Sequence, residues 1–193
     1  DLGLENTSVK ILHDGFIQVD DQMRTSCKNI FAIGDVVGQP MLAHKASREA
    51  KVAAEVIAGQ VSAFDNRCIP AVVFSDPEIM SVGLTAAQAK ENNHEVKVSK
   101  FPYAALGRAL TLNSAEGFIK IVADAKTDVV LGIHAVGAMV SELAGEASLA
   151  IEMGALLDDI ALTIHPHPTM SEGFMEAAEL GLGNAIHIFN PKK

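Results

Sequence analysis

Residues 118–123 and 129–136 are two apolar runs parted only by Asp124-Ala125-Lys126-Thr127-Asp128. So short a polar connection predicts a hairpin and therefore antiparallel pairing. Other strand-like stretches lie just upstream. Residues 71–74 and 79–82 are divided by Ser75-Asp76-Pro77, and residues 95–101 alternate in polarity. Between them Thr85 is placed to cap a short helix over 86–92. Helical patterns come afterwards. The first spans 139–153, with Val140, Leu143, Ala144, Ala147 and Ile151 on one face and Gly154 as its stop. A shorter one follows over 157–163. Strands first and helices after, without steady alternation, read as α+β: an antiparallel sheet covered by helices.

The first third has another character. Residues 9–12 and 16–19 are short strand-like runs around His13-Asp14-Gly15, and residues 20–25 read as a polar connection. Asn29-Ile30-Phe31-Ala32-Ile33-Gly34-Asp35 predicts a short buried strand ended by Gly-Asp. A loop and a helix over 42–57 follow. Ala46, Ala50, Ala53, Ala54 and Ile57 form the expected inner stripe of that helix, with Lys45, Arg48, Glu49 and Glu55 turned outward. Residues 58–69 read as a linker. The expected organisation is a first part over 1–62, a strand–loop–helix unit, and a second part over 63–193.

Composition excludes several partners. The 193 residues carry a formal net charge of −9, which argues against a nucleic-acid or anionic-membrane surface. No apolar stretch reaches membrane-spanning length. Cys27 and Cys68 make neither a disulfide framework nor a Cys-x-x-Cys pair, which points to a reducing, cytoplasmic setting. The start at Asp1, without Met, reads as that of an excised or processed piece.

Near the C-terminus stands Thr163-Ile164-His165-Pro166-His167-Pro168-Thr169-Met170-Ser171-Glu172. Each histidine precedes a proline, which biases it to extended backbone. Thr169 and Glu172 have capping-box spacing ahead of a helix over 170–182. Glu172 is also placed to orient the His167 imidazole and raise its basicity, as a general base requires. Three readings stand on these residues: a helix cap, a general base with its carboxylate, and a His-x-His metal site. The last lacks a further ligand nearby. Elsewhere Glu142, Glu146 and Glu152 read as a solvated helix face. His134 reads as a satisfied core residue. Spacing assigns no role to Tyr103 or Arg108, and His13, His94 and His187 carry no signal.

His165-Pro166-His167-Pro168-Thr169-x-x-Glu172 resembles the C-terminal signature of the flavin-dependent pyridine nucleotide–disulfide oxidoreductases. It is most similar to their lipoamide branch, whose usual form is His-Ala-His-Pro-Thr-x-x-Glu; Pro166 replaces the Ala here. The run from Asn29 to Ala46 resembles the family's second FAD-contact motif. The resemblance implies that His167 is the acid–base and Glu172 its orienting partner. They would serve a redox disulfide of the other subunit in a homodimer. It further implies that Asp35 holds the ribityl or pyrophosphate side of FAD, and that Met41, Leu42, Ala43 and His44 lie under the flavin. Residues 1–62 would be the end of the FAD (and NAD) region, and residues 63–193 the interface domain. A dihydrolipoamide substrate, FAD, NAD and the acyltransferase core of a 2-oxoacid dehydrogenase complex would be the partners.

The sequence has no Gly-x-Gly-x-x-Gly turn and no Cys-x-x-x-x-Cys pair. Gly181-Leu182-Gly183-Asn184 follows a helix and does not substitute. The expectation is a C-terminal part that has no turnover alone and binds FAD poorly. Two rival readings are a glutathione-reductase-like enzyme and a free-standing, non-catalytic dimerisation module.

Overall fold

The computed structural model describes residues 2–189. Its contacts divide the chain between Asn66 and Arg67. In the first unit the main element is helix α1 (Ala43–Ile57). The strand-like runs around His13 reduce to a single antiparallel bridge, Ile11 with Ile17. The expected strand at 30–33 likewise reduces to one bridge, Phe31 with Arg24. The turn between its two arms is too tight for a ladder: Thr25 donates both its N–H and its hydroxyl to the Ile30 carbonyl, at 3.1 and 2.7 Å.

The polar connection is more than polar. Asp20 Oδ1 accepts from the N–H groups of Gln22 and Arg24, each at 2.9 Å. That turn holds Met23 at φ 61° and buries it beside Val52, Ala53 and Val56 of α1. The buried stripe of α1 also differs from the expectation. Lys45 and Glu49 are inside, whereas Ala54 and Ile57 are exposed. Their charges are paired with each other, which is what makes burial tolerable.

In the second unit the sheet consists of β1 (Ala71–Val73), β2 (Glu78–Gly83), β3 (Val96–Pro102), β4 (Gly117–Asp124) and β5 (Val130–Gly137). Its order is β1-β2-β5-β4-β3, antiparallel throughout. The hairpin β4–β5 forms because Asp124 organises its turn: Oδ1 accepts from the Lys126 and Thr127 N–H groups and the Thr127 hydroxyl, each at 3.0 Å. His94 pairs with the other oxygen of Asp124 at 2.9 Å. The His94 hydrogen bond, followed by those amides, holds the Asp124 carboxyl well below the usual range.

Short helices α2 (Ala86–Glu91) and α3 (Gly107–Thr111) flank β3, and Thr85 with Gln88 completes a capping box on α2. Helices α4 (Val140–Met153), α5 (Leu157–Leu162) and α6 (Glu172–Leu182) follow the sheet. Helix α4 packs on β2 and β5, α6 on β3 and β4, and α5 on α6. The inward side chains of β2, β4 and β5 meet across the register, Met80 and Ile119 opposite Ala135, Val82 and Ile121 opposite Ile133. All join Val140, Leu143, Ala147, Ile151 and Phe174 in one core. The α4 stripe is thus the one its periodicity predicts. At Gly173 an added Cβ would lie 2.5 Å from Ile119 Cδ1. The absent side chain lets the first turn of α6 settle on β4, which fixes where Glu172 emerges.

Candidate active site

The arm joining α5 to α6 carries the histidines. His167 Nδ1 lies 2.8 Å from Glu172 Oε1. The other Glu172 oxygen accepts the Thr169 N–H at 2.7 Å. One carboxylate thus grips both the imidazole and the backbone beyond it. The expected capping box is only half made. Helix α6 takes Ser171 as its N-cap, without a side-chain bond. The Thr169 hydroxyl instead donates to the Pro166 carbonyl at 2.7 Å.

A carboxylate only accepts, so Nδ1 of His167 is the donor to Glu172, and Nε2 is the nitrogen left to exchange a proton. The His167 side chain is 77% exposed and that of Glu172 15%. Burial alone would raise the Glu172 carboxyl. The Thr169 N–H and the His167 ring donate to it, and the charges of His167 and His165 add to this, so its pKa falls below the ordinary value. Glu172 stays an anion while its imidazole partner faces solvent. The ring's Cε1 would lie 3.8 Å from a Cβ placed on Gly107, the first residue of α3. Downstream, the arm borders a hollow of about 310 Å³ lined by Arg108, Met139, Glu142, Leu143 and residues 168–171. That hollow is where Arg108 belongs.

His165 is not a second solvent imidazole. Its side chain is 4% exposed; Nδ1 meets the Thr163 carbonyl and Nε2 meets Glu146 Oε1, both at 2.8 Å. Glu146 and Glu152 therefore do not form a merely solvated face. Glu152 accepts the Cys68 N–H at 3.2 Å, and burial, then the Glu152 charge, pushes the Cys68 thiol up to about 11. His134 is a satisfied core residue: Nδ1 meets the Ser81 hydroxyl at 2.8 Å and Nε2 the Leu84 carbonyl at 3.0 Å. Burial lowers its pKa. Tyr103 is fully buried against Gly137, where an added Cβ would come within 2.4 Å of its ring. His187 pairs with buried Glu176.

In the first unit, Gly34–Val37 is a 3-10 turn that leaves Asp35 exposed. Two buried charges hold it. Glu49 Oε2 accepts the Gly34 N–H at 2.7 Å, Lys45 Nζ donates to the Gly38 carbonyl at 3.1 Å, and the pair lie 3.0 Å apart. Met41, Ala43 and His44 are exposed at the start of α1, which has no side-chain cap and no acid in its first turn. A positive helix end with an exposed carboxylate close by in sequence fits the anionic edge and hydroxyls of a flavin nucleotide. Among the described residues no group of three or more His, Cys, Asp or Glu side chains is arranged to hold a metal ion.

The dimerisation domain of the pyridine nucleotide-disulphide oxidoreductases matches residues 69–178. The chain belongs to the pyridine nucleotide-disulphide oxidoreductase family. A second part of that family's pattern matches residues 1–50. The dihydrolipoyl dehydrogenase of Thermus scotoductus is 54% identical over 98% of the chain and 41% of its own length. That of Geobacillus stearothermophilus is 55% identical over 97% of the chain and 40% of its own length. The chain therefore spans about two fifths of the curated relatives it matches. Among solved structures, LpdA from Mycobacterium tuberculosis superposes with a TM-score of 0.85 at 29% identity, over 92% of this chain and 39% of that one. The HOCl-induced flavoprotein disulfide reductase RclA from Escherichia coli does so at 0.86 and 28%, over 93% and 42%.

For this member of the oxidoreductase family, sequence reasoning missed the pairs Lys45–Glu49 and His165–Glu146 beside the candidate sites, and His94–Asp124 and His187–Glu176 elsewhere. The first has i,i+4 spacing, a signal shared with any solvated helix face. The second joins side chains 19 positions apart and leaves no local signal.

Proposed function

We propose that the full-length protein oxidises dihydrolipoamide, using FAD, a redox disulfide and NAD, with His167 as the acid–base. The observation that carries this reading is the 2.8 Å contact between His167 Nδ1 and Glu172 Oε1 on a ring whose other nitrogen is open. A thiol near neutral pH is mostly protonated and weakly nucleophilic. Nε2 of His167 takes the substrate thiol's proton, and Glu172 balances the imidazolium. The thiolate attacks one sulfur of the disulfide, and the S–S bond breaks with its electron pair leaving on the second sulfur. The second thiol of the substrate then attacks its first sulfur and closes the substrate disulfide, and the cysteine sulfur released takes up the second proton. FAD, which Asp35 and residues 41–44 would help to hold, would supply the acceptor for the electron pair of the reduced cysteines, with NAD as the final acceptor.

Residues 63–193 serve as the interface domain of a cytoplasmic homodimer, and residues 1–62 as the end of the nucleotide-binding region. Asp35, Met41, Leu42, Ala43 and His44 supply part of the FAD pocket, with the turn at Asp35 fixed by Lys45 and Glu49. The acyltransferase core of a 2-oxoacid dehydrogenase complex is the proposed larger partner. Because this stretch contains no redox pair of cysteines, it has no turnover by itself.

The test is an assay of the full-length protein on dihydrolipoamide with NAD, beside glutathione disulfide with reduced nicotinamide. Dihydrolipoamide turnover that falls about a thousandfold in His167→Gln is the expected result. Turnover of glutathione disulfide alone would move the assignment to that branch. Turnover by residues 1–193 alone would overturn the claim that they are inactive.

A further inference from the structure

The arm needs an anchor upstream of His167, and the structure offers few. Ile164 is 95% exposed, and Pro166, His167 and Pro168 are exposed as well. The N–H and hydroxyl of Thr163 bond back into α5, the hydroxyl donating to the Asp159 carbonyl at 2.7 Å. His165 is the exception. Its nearly sealed ring faces the Thr163 carbonyl on one side and Glu146 on the other. Both partners are acceptors, so the ring is held by hydrogen bonding from either side. One bond curls the arm on itself, and the other fastens it to α4, the helix packed on β2 and β5. Downstream, Glu172 holds Thr169 and His167 to the start of α6.

We propose that His165 and Glu146 are positioning residues: their contact pins the arm to α4 and sets where His167 presents Nε2. This rests on the reading of His167 as the acid–base of the full enzyme. An ångström of misplacement at a reacting group is enough to cost one to two orders of magnitude in rate. Releasing the upstream anchor should therefore slow the step that uses His167 and leave other steps alone.

The experiment uses the full-length holoenzyme, with rates expressed per bound flavin. Two activities are compared: oxidation of dihydrolipoamide, which needs a base, and transfer from NADH to an artificial dye, which needs no thiol deprotonation. Glu146→Ala should lower kcat for dihydrolipoamide about tenfold and leave dye reduction unchanged. Glu146→Gln keeps an oxygen that accepts from Nε2 of His165, so it should retain activity within about twofold. His165→Ala combined with Glu146→Ala should be no slower than His165→Ala alone, because one contact is lost in both.

Unchanged dihydrolipoamide turnover in Glu146→Ala overturns the proposal. So does an equal fall in both activities, which marks a structural role only. His167→Gln is the control for the underlying reading. If it retains dihydrolipoamide turnover, the acid–base reading fails and the positioning role fails with it. If it loses turnover while Glu146→Ala does not, the positioning role alone fails.

Discussion

Two glutamates in different units of this chain perform the same mechanical task. Glu49 places one oxygen on the Gly34 N–H at 2.7 Å and the other 3.0 Å from Lys45. Glu172 places one oxygen on the Thr169 N–H at 2.7 Å and the other 2.8 Å from His167. Each ties a loop to a helix through a basic side chain. The difference is access. The Lys45 and Glu49 side chains are 6% and 3% exposed, whereas His167 is 77% exposed. A sealed pair with a permanent cation is a scaffold. The same device with an open imidazole has a proton to exchange.

Breaking the sealed pair should have the largest effect. Glu49→Ala strands a buried ammonium, and loss of one partner of a buried pair costs about 3–5 kcal/mol. Hydrogen exchange in the full-length protein should show that loss at the Gly34–Gly38 amides and along α1, with the second unit unchanged; full protection at those amides would mean that the turn holds itself. Breaking the open pair should leave the fold and slow the chemistry. Glu172→Gln removes the charge that balances an imidazolium, and dihydrolipoamide turnover should fall by roughly a hundredfold or more without loss of bound flavin. Replacing both members of the sealed pair, Lys45→Met with Glu49→Leu, sharpens the contrast. It leaves no unpaired charge, so exchange along α1 should slow back to within about 1 kcal/mol of the parent; protection as poor as in Glu49→Ala would assign the loss to the loop contacts instead.

The smallest effect is in acid. The folded pKa of His134 is depressed, so the unfolded chain binds its proton more readily. Its contribution holds above the unfolded value of about 6.5 and is lost as pH falls below that value. Glu172 is depressed in the carboxylate sense, so its contribution is present above about 4.5 and lost as pH falls through the folded value. Unfolding measured between pH 7 and 2 should therefore lose stability in two stages, the lower one shared by Glu172 and Asp124, and His134→Gln should flatten the upper one. An unchanged upper stage in that variant would assign it to another group.

How much of this was legible in the sequence depends on range. The α4 stripe was readable because Val140, Leu143, Ala144, Ala147 and Ile151 are apolar and spaced for one face. The hairpin was readable because Asp124 builds its turn from its own neighbours. The His167–Glu172 contact was readable because it spans five positions between a proline-stiffened arm and a helix start. The α1 stripe was misread because Lys45 and Glu49 look solvated until a turn at Gly34–Gly38 supplies the groups they hold. The strand at Phe31 was misread for a related reason: an apolar run specifies extended backbone only where another strand lies alongside.

The arm also sets two imidazoles, two residues apart, in opposite surroundings. The His165 side chain is 4% exposed and that of His167 is 77% exposed. An electrophile dissolved in the medium meets the second ring and is kept from the first. Peptide mapping after such labelling would thus read a single short peptide as two separate channels, one reporting the state of the exposed imidazole and the other whether the arm has come loose from α4.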